Sequence, residues 1–164
     1  MIEISAPAKI NLNLRILRKR EDGFHDLETL MTCVDLADTL TVSKSTALRF
    51  TCSRLDLETE DNLVIRSVRL LEKEVGRPLP LNLHLEKRTP SGAGLGGGSS
   101  DAAATFKAVR ELYQLDVPDH RLKTLAAELG SDIPFFISGG TAWCRGRGEI
   151  LDPIDFPWKL NLLL

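Results

Sequence analysis

PSGAGLGGGSSDAAATF, Pro90 to Phe106, sets glycines at Gly92, Gly94, Gly96, Gly97 and Gly98 directly ahead of two serines and an alanine-rich segment. Glycine loses more backbone entropy on folding than any other residue, so a cluster of this density needs a use that only bare backbone serves. Upstream, LNLHLE alternates Leu81, Leu83 and Leu85 with polar residues, the period of a strand. Downstream, Ala102, Phe106, Val109 and Tyr113 share one helical face. The glycines therefore join a strand to a helix N-terminus, where backbone N–H groups and the positive end of the helix dipole bind anions. Ser99 and Ser100 add hydroxyls at the expected cap positions. A tight helix-entry turn needs one or two glycines; five argue for the close approach of phosphate oxygens. A side chain at Gly96 is expected to fill that phosphate space and leave the fold largely intact.

Three familiar glycine loops are distinguishable here. A P-loop requires Lys and then Ser or Thr after its last glycine, whereas Gly98 is followed by Ser99 and Ser100. Gly92, Gly94 and Gly97 satisfy GxGxxG, but the dinucleotide version needs a second strand bearing an acid about 20 residues on, and Glu111 falls inside a helix. The protein-kinase version needs a hairpin and a Val where Ser99 stands.

Around this centre, INLNLRIL alternates Ile10, Leu12, Leu14 and Ile16 with Asn11, Asn13, Arg15 and Leu17, as in a half-buried strand. EDGFHD (Glu21 to Asp26) gives a turn signal, and strand-like segments follow at 27–34, 39–42 and 48–52. Val64, Val68, Leu71 and Val75 form a helical stripe that Asp61 or Asn62 can cap and Gly76 can stop. A further helix is predicted over 119–129, ending at Gly130, and TAWCR and KLNLLL read as returning strands. With no repeat, low-complexity tract or linker, the chain reads as one α+β unit. KLNLLL stops on an apolar strand, as it would if a second domain followed; a natural terminus reads the same way.

Composition narrows the function classes. The 164 residues suffice for one sizeable core, and 43% hydrophobic with 27% charged residues is the balance of a globular protein. A net charge of −2 with interleaved signs argues against nucleic acid as partner. No apolar run approaches the roughly 18 residues of a membrane span, and the N-terminus lacks a signal-peptide core, so no membrane partner is expected and the cytoplasm is the default location. Cys33, Cys52 and Cys144 lack metal or redox spacing and read as small buried apolar residues.

The motifs PAKINLNL, DGFHDLETL, EKRTPSGAGLGGGSSDAA and LGSDIPFFI, in this order, resemble those of the GHMP kinases, small-molecule kinases with a Pro-x-x-x-Gly-Leu-Gly loop. The likeness runs from Ala6 to about Pro153. Within the family it points to the branch acting on a cytidine-diphosphate-linked alcohol of non-mevalonate isoprenoid synthesis. The fold so implied is the ribosomal-protein-S5-domain-2-like α+β unit, a mixed or antiparallel sheet with helices on one side and a left-handed crossover. Residues 1–164 would be its N-terminal ATP-binding domain, without the C-terminal GHMP domain, and the chain alone is then expected to be inactive.

The resemblance implies ATP and Mg²⁺ as cofactors and a small-molecule substrate. It assigns ATP binding to Asn62, Lys87, Pro90, Ser91, Gly92, Ala93, Gly94, Leu95, Gly96, Gly97, Gly98, Ser99 and Ser100, with Asn62 and Lys87 near the adenine. It assigns catalysis to Lys9 and Asp132, and cytosine recognition to Asn11, Phe24 and His25, with Asp132 also contacting substrate. Phe24 stands where the family more often has Tyr, keeping the stacking face without the hydroxyl. From the residues alone, Lys87 reads equally well as a solvated strand end, Lys9 as a surface charge, Asp132 as a turn or cap, and His25 as a solvated turn residue. Asp101, at a helix start, reads as a capping or dipole-compensating acid rather than a metal ligand. The alternatives are a GHMP kinase of the homoserine or mevalonate type, and a non-catalytic ATP-binding fragment.

Overall fold

A computed structural model describes every residue except Asp22, Phe24, Trp158 and Leu164. Its spine is a long strand, β2 (His25–Lys44), which absorbs both strand-like segments expected over 27–34 and 39–42. Strand β1 (Ile2–Lys19) pairs antiparallel along one edge of β2. The other edge is shared: β4 (Leu81–Glu86) pairs with Thr39–Lys44, and β5 (Thr141–Gly146) pairs with Leu27–Thr32. Residues 33–38 lie between these two ladders. Short β3 (Arg49–Cys52) runs parallel to β4, and β6 (Ile150–Ile154) extends the sheet beyond β5. Because β3 and β4 are parallel, a crossover must join them, and α1 (Leu63–Val75) lies within it.

The helices follow from their end signals. The Asn62 side chain accepts from the Val64 N–H, and Gly76 closes α1 in the left-handed conformation at φ +67°. Helix α3 (Asp119–Leu129) begins and ends where the pattern places it, while α2 (Gly97–Tyr113) starts among the glycines, ahead of the expected serine caps. In β4, Leu81, Leu83 and Leu85 are buried while Asn82, His84 and Glu86 face solvent, so the helices cover one face of the sheet. Phe106, Val109, Val64, Val68, Leu71, Leu122 and Phe135 fill the space between layers in one continuous core. Cys52 and Cys144 are buried and Cys33 half-buried, all three free.

The structure corrects four sequence readings. Residues 159–163 of KLNLLL form no strand. Helix α4 (Ile133–Ser138) was unforeseen, because IPFFI is a continuous apolar run in which no period is visible. Strand β6 was likewise unforeseen, since Pro153 within ILDPI argues against a strand unless it lies at an edge, where β6 sits. The far half of β1 is not half-buried: Leu14, Ile16 and Leu17 are all more than half exposed, at 54%, 67% and 56%. Irregularities in the ladder between Asn11 and Asn13 and between Ile16 and Arg18 disturb the two-residue alternation there.

Candidate active site

The glycine loop leaves the end of β4 and enters α2. Gly92, Gly94 and Gly96 have φ of +72°, +74° and +70°, where L side chains are strained. Gly96 is the helix N-cap and no side chain caps it. The first intrahelical bond runs from the Ser100 N–H to the Gly96 carbonyl at 2.9 Å, so the N–H groups of the Gly96–Ser99 turn precede the helical ladder. The two serines therefore lie inside the first turn rather than at the cap. Ser100 is buried, and its hydroxyl has no partner among the described residues.

A Cβ at Gly92 or Gly94 would meet nothing within 4 Å. These glycines border a cleft of about 510 Å³ lined by Pro90–Ser99, Lys87 and Asp101, with Asp56, Leu57, Thr59, Asp61, Asn62 and Leu63 on its other wall. Beyond them the loop lies against the protein. A Cβ at Gly96 would come 2.8 Å from the Phe136 ring and 3.2 Å from Lys9 Cγ. One at Gly97 would come 2.9 Å from Thr89 Cγ2 and 3.3 Å from Lys87 Nζ. Substituting Gly96 thus strains the fold itself, contrary to the expectation that only phosphate space would be filled.

Lys9 is buried in β1 rather than displayed as a surface charge. Its N–H donates to the Leu95 carbonyl at 2.9 Å, tying β1 to the loop. Its ammonium donates to Asn11 Oδ1 at 2.6 Å, Asn11 Nδ2 donates to Thr29 Oγ1 at 2.7 Å, and that hydroxyl donates to the Asn13 carbonyl at 2.5 Å. Asp132 Oδ2 lies 3.8 Å from Lys9 Nζ, and the Asp132 side chain stays 31% exposed. Asp132 precedes α4 but makes no capping bond. The pair is therefore an open ion pair beside the loop, held on one side by a hydrogen-bond chain through Asn11.

Lys87 is not a solvated strand end. Its side chain is 5% exposed, and its ammonium donates to Asp38 Oδ2 at 2.5 Å and Asp101 Oδ2 at 2.8 Å. Asp101 neither caps α2 nor faces solvent; it is buried in the second turn. Burial pushes its carboxyl up to about 7, against the pull of Lys87. Asp38 faces the same burial, but Lys87 and the N–H groups of Thr89 and Arg88 outweigh it and hold its carboxyl below the usual range. Burial disfavours the Lys87 ammonium, yet the two carboxylates raise its pKa overall.

The remaining predicted residues divide. Asn62 lines the cleft with its side chain engaged in capping α1 and in donating to the Leu57 carbonyl at 2.9 Å. His25 opens β2 and is exposed, opposite Lys19 at the far end of the hairpin. Lys9 pairs with Cys33, eight residues along β2, up to roughly 26 Å of extended strand away. Phe24 lies outside the described residues. Among the described residues no group of three or more His, Cys, Asp or Glu forms a metal-binding cluster.

The family model for the GHMP kinases N terminal domain matches residues 62–140, the stretch holding the loop, α2 and Asp132. Residues 62–140 are a GHMP kinases N terminal domain by this match. Over 99% of its length it is 45% identical to a 4-diphosphocytidyl-2-C-methyl-D-erythritol kinase of Prochlorococcus marinus, of which it covers 53%. It is 46% identical over 96% of its length to the enzyme of that name from Chlorobaculum tepidum, covering 56%. The chain spans about half the length of the curated relatives it matches. Its fold superposes on a crystal structure of 4-(cytidine 5'-diphospho)-2C-methyl-D-erythritol kinase with a TM-score of 0.82 at 42% identity, covering 95% of this chain and 56% of the other. Methanococcus jannaschii mevalonate kinase shares the fold at a TM-score of 0.70 and 14% identity, over 94% of this chain and 56% of the other.

Sequence reasoning missed Asp38, Thr29, Phe136 and Gly148. Gly148, at φ +112°, lets the backbone approach Asp132: a Cβ there would lie 3.4 Å from Oδ1. The glycines of GRG were the one available signal. Asp38 carries none, since nothing local in DLADTL marks it apart from other acids.

Proposed function

We propose that the chain is the ATP-binding part of a kinase that phosphorylates the 2-hydroxyl of 4-diphosphocytidyl-2-C-methyl-D-erythritol. The observation that carries this reading is the bond from the Lys9 N–H to the Leu95 carbonyl, which fixes the Lys9–Asp132 pair beside the phosphate cradle. The names of the relatives supply the substrate. The cradle fits a triphosphate: open space over Gly92 and Gly94, and a helix N-terminus free of side-chain caps. ATP bound with Mg²⁺ would supply the transferable phosphoryl group and charge neutralisation. Without a ready protein cluster for the metal among the described residues, phosphate oxygens and water would supply most of its ligands.

The chain's own residues position and activate the alcohol. Asp132, its side chain 31% exposed beside the loop, accepts the hydroxyl proton as the oxygen attacks. The Lys9 ammonium orients that carboxylate and offsets charge gathering on the phosphoryl oxygens. Asn11 fixes the Lys9 rotamer through a charge-assisted hydrogen bond. With His25 far along the hairpin from Lys9, a substrate touching both must be elongated, as a nucleoside diphosphate joined to a polyol is. Three free cysteines accord with a reducing, cytoplasmic setting.

The test is a product assay on the parent protein that carries this chain, with the cytidylated methylerythritol, homoserine and mevalonate offered side by side. Phosphate transfer to the first alone, inhibited competitively by cytidine diphosphate, is expected. Transfer to either of the others would move the protein to another GHMP activity, and ATP binding without transfer would make it a non-catalytic module.

A further inference from the structure

Asp38 is wholly buried in β2, yet neither the loop motif nor the Lys9–Asp132 pair involves it. It sits one residue before the β2–β4 ladder begins at Thr39 opposite Glu86. Beyond Glu86 the chain leaves that ladder, and there Asp38 takes over as acceptor. Its carboxylate receives the Arg88 N–H at 2.5 Å, the Thr89 N–H at 2.8 Å and the Lys87 ammonium at 2.5 Å. Three donors from three consecutive residues thus converge on one side chain, immediately before Pro90 opens the glycine loop. The same carboxylate holds Lys87 Nζ 3.3 Å from the point a Gly97 Cβ would occupy. Two of the three ammonium donors are engaged by Asp38 and Asp101.

We propose that Asp38 is a positioning residue for nucleotide binding: it fixes the start of the glycine loop and holds the Lys87 ammonium beneath Gly97. This rests on the ATP-binding reading above. A buried ion pair contributes little net stability over an apolar replacement, but it does impose one geometry, and here that geometry is the loop's. Field and position make opposite predictions. Removing a negative charge near a phosphate site would by electrostatics alone tighten ATP binding, whereas releasing Lys87 and the loop start would weaken it.

The experiment compares wild-type protein with Asp38→Asn, which keeps an acceptor oxygen and loses the charge. ATP affinity is measured by titration calorimetry, KM and kcat by the product assay, and folding by circular dichroism. The expected result is an ATP dissociation constant raised about tenfold, with kcat at saturating ATP changed less than about twofold. Unchanged or tighter ATP binding in a folded variant would overturn the proposal. Should Asp38→Asn not fold, amide hydrogen exchange on the wild type decides. Arg88 and Thr89 must exchange far more slowly than Ser91–Gly94, and equal rates would overturn the proposal. If the wild type itself binds no ATP, the kinase reading fails, while the exchange comparison still reports on the anchoring of the loop.

Discussion

The glycine loop rests on two lysines with different surroundings. Under Gly96, Lys9 meets a single carboxylate at 3.8 Å that remains 31% exposed, and an amide at 2.6 Å sets its orientation. Under Gly97, Lys87 is enclosed between Asp38 and Asp101 with its side chain 5% exposed. In the proposed reaction, the carboxylate of the open pair accepts the proton of an arriving alcohol. The closed cluster exchanges little with solvent and instead holds backbone in place. Both lysines are buried, and the two sites differ in their carboxylates: one partly exposed beside Lys9, two buried around Lys87.

The largest effect expected from breaking this contrast is on stability. Lys87→Met leaves Asp38 and Asp101 buried without their cation and should lower unfolding free energy by about 3–5 kcal/mol in urea denaturation. Lys9→Met should lower it by only about 1 kcal/mol, since the lost Asn11 bond is joined only by a 3.8 Å ion pair to an Asp132 that keeps its access to water. Equal losses would mean that the two sites do not differ as described.

A smaller effect sharpens the closed side. The Asp101 carboxyl is raised from 3.8 to about 7 in the folded protein, so the native state holds that proton more tightly than the unfolded chain. Its stabilising contribution is complete below about pH 4 and is lost as pH rises through about 7. Asp38, shifted downward, acts at the other end, losing its contribution only as pH falls below the ordinary carboxylate range. Between pH 5 and 8 the melting temperature of the wild type should therefore drop relative to Asp101→Asn by about 3 °C or more. Parallel pH profiles for the two proteins would refute this.

Much of the scaffold is legible because its signals are local. Asn62 and Gly76 bracket α1, alternating leucines give β4, and the glycine cluster marks the turn into α2. The partnership of Asp38 with Lys87 is not legible, because 49 residues separate them and only the β2–β4 register brings them together. Asp101 was misread for a related reason: its place near a helix start suggested a capping or dipole-compensating acid, while its burial depends on how α2 packs on the sheet. Asp132 and Lys9 were legible only through the family resemblance, which named the pair but not its openness. The exposed leucines of distal β1 show the converse, a regular pattern whose burial depends on a covering layer that no local rule guarantees.

The central claim is that the open pair performs the chemistry while the loop and its buried support bind ATP. Asp132→Ala tests it most directly, with turnover and ATP affinity measured on the same preparation. We predict turnover lower by about 10²–10⁴-fold with the ATP dissociation constant within about threefold of wild type. Near-normal turnover, or a loss of ATP binding as large as the loss of turnover, would contradict the division of labour.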